Sequence, residues 1–147
     1  MATGWGRQVR LDFQRLAGQV ATTKTYTTPH ASLSTANPND DGQSNAEPTS
    51  TGGYAAQPIS WTAPSQPAND ASCILQNSGA LTWGPSGAAY STGATVLNHV
   101  GIWNHLTTRT ETAFLGRAAI SVPQAVNAAG ITLTIAIGGL QMGCISA

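Results

Sequence analysis

The chain has 147 residues, enough for one domain around one core. Only 8% of them are charged and the formal net charge is zero, which argues against the Lys- and Arg-rich face that a nucleic-acid binder needs to neutralise phosphates. Small and hydroxyl-bearing residues hold the mean hydropathy at −0.08, and a polar surface with so little self-repulsion favours packing against neighbours over a lone diffusing enzyme.

The chain starts basic and becomes neutral. Arg7, Arg10, Arg15 and Lys24 lie in the first 24 positions, whereas residues 71–108 and 118–147 contain no Asp, Glu, Lys or Arg. Trp5, Val9, Phe13, Leu16 and Val20 recur at spacings of four, four, three and four, one stripe of an amphipathic helix over about residues 7–19. That stripe packs on its own domain or docks on a partner. Residues 1–24 therefore read as a helical N-terminal segment and residues 25–147 as a β domain, together a single domain. No apolar run reaches the ~20 residues of a membrane-spanning helix, and "MATGWGRQVRLDF" lacks a secretory signal. Synthesis in cytoplasm, with no membrane partner, is the expectation.

Beyond the helix the period changes to two. "HASLST", "QPISWT", "SCILQ", "ALTW", "TVLNHVGIW", "AAISVP" and "ITLTIAI" are short strands bounded by Pro, Gly, Asn or Ser. In the last, Ile131, Leu133, Ile135 and Ile137 alternate with smaller residues; in "AAISVP", Ala118, Ile120 and Val122 share a face. The fold class is mainly β, a β-sandwich or barrel-like domain with one N-terminal amphipathic helix.

Between the first two strands, residues 37–53 form an extended, flexible surface arm. It contains Asp40, Asp41 and Glu47, with glycines at 42, 52 and 53. The acidic spacing of a helix–loop–helix calcium site is missing, and Asp or Asn beside Pro38 and Gly42 satisfies turn backbone. His99 and His105 would lie about 20 Å apart on a continuous strand and have no third ligand at suitable spacing. Cys73 and Cys144 match no metal pattern and read as small buried hydrophobes, able to form one bridge at most. No nucleophile elbow or phosphate-binding loop is present. The reading is a non-enzyme with no metal and no cofactor.

The order of "HASLSTANPNDDG", "GGYAAQPISW" and "NHVGIW", after a short helix and before "LTIAIGGL", resembles a family of small tailed-bacteriophage virion proteins labelled as tail-fibre or head-decoration proteins. Its motifs correspond to Ala31–Pro38, Gly52–Gln57 and His99–Ile102, and the likeness runs from about Gln8 to Leu140. It implies a structural virion component, made in the host cytoplasm, with no catalytic residues.

Two locations follow from that likeness. The first is a capsid decoration (cement) protein on the capsid exterior, bound to the major capsid protein and to copies of itself, as a trimer. It is placed first because the chain lacks the repeats or coiled-coil heptads of a fibre shaft. The alternative is a tail-fibre or tail-tip module binding a host glycan, with Trp61, Trp83, Tyr54 and Tyr90 as stacking faces. A polysaccharide hydrolase would need two carboxylates about 5 to 9.5 Å apart. The expected partner interface is Trp5, Arg7, Arg10, Phe13 and Arg15 on the helix, with Asp40, Asp41 and Glu47 on the arm. The arm's carboxylates stay solvated or meet arginines of a neighbouring subunit.

Overall fold

The computed structural model describes residues 4–6, 18, 27–49, 51–62, 73–91 and 95–144. Each stretch with a period of two contains strand residues. In chain order the strands are β1 (Gly4–Trp5), β2 (His30–Ser34), β3 (Gln57–Pro58), β4 (Cys73–Gln76), β5 (Leu81–Trp83), β6 (Leu97–Trp103), β7 (Phe114–Gln124), β8 (Leu133–Ile135) and β9 (Gln141–Cys144). They form a five-stranded sheet ordered β1-β7-β6-β2-β3 and two pairs, β4-β9 and β5-β8. Every pairing is antiparallel, and the fold is mainly β.

The helix expected over residues 7–19, with Arg7, Arg10, Phe13 and Arg15, lies outside the described residues. Trp5 does not continue a helical stripe: its backbone is in β1, opposite Gly116 of β7. Gly6 then donates its N–H to the Leu115 carbonyl at 2.7 Å. An extended segment beside β7 satisfies the edge of that strand, and the four-residue spacing from Trp5 to Val9 was not helical at its first position.

Both faces of the large sheet are covered. On one, Ala31 and Leu33 of β2, Val100 and Ile102 of β6 and Ala118 of β7 pack with Leu81, Trp83, Leu133 and Leu140 from the strand pairs and their flanks, forming one apolar core. On the other, Ser32, Ser34, Trp103 and Phe114 are also buried. The "ASLS" alternation of β2 therefore separates an apolar face from a hydroxyl face, and both lie inside.

What covers the hydroxyl face is the acidic arm. Ser34 Oγ accepts the Ala46 N–H at 2.9 Å, and Trp103 Nε1 donates to Ser32 Oγ at 2.8 Å. Instead of being extended, the arm is folded into successive turns. Asn37 Oδ1 accepts the Asn39 N–H at 3.1 Å, and Asp41 Oδ1 accepts the Gln43 N–H at 2.9 Å. Gly42, at φ +74°, is pressed so closely on the aromatic rings that a Cβ there would meet Phe114 at 2.7 Å and Trp103 at 2.8 Å. A side chain at position 42 would be strained both by conformation and by space.

The alternation breaks at two positions. Val122 and Ile137, which the period of two sets on the apolar faces of their strands, are each 67% exposed. Between Leu97–Gln124 and His99–Ala119, two steps along β6 oppose five along β7, so residues 120–123 bulge from the ladder. Ile137 belongs to a turn with Gly138, whose φ is +73°.

Candidate functional site

Glu47 of the arm gathers three side-chain hydrogen bonds. Arg109, from the loop between β6 and β7, donates Nε to Glu47 Oε2 at 2.5 Å and Nη2 to Glu47 Oε1 at 2.8 Å. This is a two-pronged guanidinium–carboxylate pair, the stronger class of ion pair. Tyr54 donates its hydroxyl to Glu47 Oε1 at 2.9 Å and accepts the Leu33 N–H at 2.9 Å. The chain of contacts thus runs from the β6–β7 loop through the arm into the backbone of β2.

Aromatic rings support this constellation from below. The Arg109 guanidinium lies 5.0 Å from the Trp103 ring centroid, within cation–π range. Trp103 packs on Phe114 at 4.9 Å, and Tyr54 meets Tyr90 edge-to-face at 5.4 Å. Burial, and secondarily the Glu47 charge, push the Tyr54 phenol well above its ordinary value, so it remains a neutral donor. A cleft of about 290 Å³ opens over the site, lined by Glu47, Pro48, Tyr54, Leu106, Thr107 and Arg109.

The other arm carboxylates have separate tasks. Asp40 pairs with Arg117 of β7 at 3.0 Å, and Asp41 caps its own turn. Glu47 and Asp40 thus meet arginines of their own chain, where the sequence reading had put solvent or a neighbouring subunit. Arg109 and Arg117, which complete these pairs, were not singled out from sequence. The available signal was that they are the only basic residues after Lys24, while the arm concentrates acids.

The two histidines are engaged separately. His99 Nδ1 is 2.7 Å from Asn98 Oδ1, whereas His105 Nδ1 accepts the Thr107 and Thr108 N–H groups at 3.2 and 3.0 Å, capping a turn. Of the aromatics expected as sugar-stacking faces, Trp83, Tyr54 and Tyr90 are buried in the core and Trp61 packs against it. The faces of the three buried rings serve packing, while Trp61 is half-buried. What the site does chemically is hold two loops against a sheet.

A protein-family model described as Podophage GP4 fiber I protein gp80 matches residues 13–143. No curated protein matches the chain. The match spans most of the sequence, and the chain belongs to this family of phage virion proteins.

Proposed function

We propose that this family member is a non-enzymatic structural subunit of a fibre on a tailed-phage virion, assembling with copies of itself. The observation that carries this reading is the fibre description of a family matched over residues 13–143. It supports the second of the two locations considered from sequence, the tail fibre, better than capsid decoration. The Glu47–Arg109–Tyr54 network supports a load-bearing role, since it braces two surface loops with charge-assisted bonds and leaves the aromatic rings inside. In this reading the contact surface is the rigid arm–loop face, including Asp40, Asp41 and Glu47. The N-terminal residues Arg7, Arg10, Phe13 and Arg15 contribute a second contact.

The test is stoichiometry and location. Quantitative mass spectrometry of purified particles should give at most tens of copies per virion, and particle imaging should place them on the tail apparatus. Hundreds of copies spread over the capsid would overturn the fibre reading and restore decoration of the major capsid protein.

A further inference from the structure

The geometry points to a covalent cross-link between Cys73 and Cys144, formed once the protein leaves a reducing compartment. These are the two cysteines of the chain, and the backbone register of β4 and β9 sets them directly opposite one another. In an antiparallel ladder, facing residues have Cα atoms about 4.5 or 5.5 Å apart, according to the type of pair. Both separations fall within the roughly 4.4–6.8 Å spanned by disulfides. The register alone therefore brings the two backbones within the span of a disulfide.

The place in the fold gives the bond a purpose. β4 and β9 form a two-stranded sheet of four facing pairs, an arrangement with little stability of its own. One end is locked by Asn77, whose N–H donates to the Leu140 carbonyl and whose Oδ1 accepts the Leu140 N–H. Cys73 and Cys144 are the last pair at the opposite end. A bond there fastens both ends of the ladder and closes a loop of roughly 70 residues, long enough to constrain the unfolded chain strongly.

The chemistry needs an oxidant, and a low-molecular-weight disulfide such as oxidised glutathione supplies it. One cysteine thiolate attacks oxidised glutathione and releases a glutathione thiol. The facing thiolate then displaces the second glutathione. The protein loses two electrons and two protons, and one glutathione disulfide becomes two thiols. Reducing cytoplasm keeps the thiols free, whereas the environment of a released virion favours the bond. The inference is independent of whether the protein sits on tail or capsid.

The experiment uses the full-length folded protein treated with oxidised glutathione and then alkylated without reduction. The expected product is a monomer about 2 Da lighter than the reduced form, unreactive to alkylation, with a proteolytic fragment joining the β4 and β9 peptides. Its Tm should exceed that of the dithiothreitol-reduced protein by about 5 °C or more, and Cys73→Ser and Cys144→Ser should each abolish that difference. Two thiols still open to alkylation, glutathione adducts on both residues, or a disulfide-linked dimer would overturn the proposal. If the serine variants fail to fold, the peptide map of the wild-type chain decides the matter.

Discussion

Glu47 accepts three side-chain hydrogen bonds, one from Tyr54 nearby in sequence and two from the Arg109 cation 62 positions away. Its side chain is about one-fifth exposed, as is that of Arg109, so the pair is partly desolvated yet still reachable by water. Glu47→Ala would leave Arg109 to be hydrated but would remove the acceptor of a buried tyrosine hydroxyl. The expected loss is about 2–3 kcal/mol in urea unfolding. Tyr54→Phe removes the same donor and orphans the Leu33 N–H in the core, at about 1–2 kcal/mol. A double-mutant cycle on Glu47 and Arg109 should show coupling of about 1 kcal/mol or more, well above the median exposed pair. Coupling near zero would mean that the two loops are held by packing alone.

Among the elements, the smaller strand pairs depend on one buried amide. Asn77 follows β4, is fully buried, and donates Nδ2 to the carbonyls of Gly79 and Ala136 at 2.8 and 2.9 Å. Its Oδ1 accepts the Leu140 N–H at 2.8 Å. It thereby ties the turn after β4 to the segment between β8 and β9. Asn77→Ala removes the side-chain partner of the Leu140 N–H and of the Gly79 carbonyl, while the Ala136 carbonyl keeps the Gly139 N–H, and should cost about 2–4 kcal/mol. Amide hydrogen exchange is the direct measurement: Leu140 should exchange much faster in the variant. Protection equal to wild type at Leu140 would show that neighbouring groups replace the amide. Asn77→Asp should be at least as damaging, since a carboxylate cannot donate to the two carbonyls.

At the level of the whole molecule, the low charge leaves few groups to couple folding to pH, and two histidines dominate near neutrality. Burial is the main cause that lowers the His30 value, with Arg109 and His105 adding to it; burial and then Arg117 lower His99. A depressed folded value means that the unfolded chain takes up the proton first. Stability from these groups is therefore complete above about pH 6.5, the ordinary histidine value, and falls as the pH drops below it. Unfolding midpoints should decline from pH 7 to pH 5.5, and the double change His30→Gln and His99→Gln should flatten the profile. A midpoint that rises on acidification would contradict the burial argument.

Short β-branched stretches such as "ITLTIAI" and "NHVGIW" were legible as strands because strand periodicity is a local property, and the sequence alone determined the mainly β class. The order of motifs likewise placed the chain among small tailed-phage virion proteins, as the family match bears out. Gly42 and Gly52 were readable as turn glycines, and each has φ +74°. The sequence could not show that the arm folds down onto Ser32, Ser34, Trp103 and Phe114, because serines in a strand look solvent-facing until something covers them. Nor could it join Glu47 to Arg109, which lie 62 positions apart, or set Cys73 opposite Cys144. Residue type and spacing act over a few positions along the chain, whereas these pairings depend on which strands become neighbours and in what register. Only the tertiary structure decides that, because burying both faces of one sheet constrains the whole chain at once.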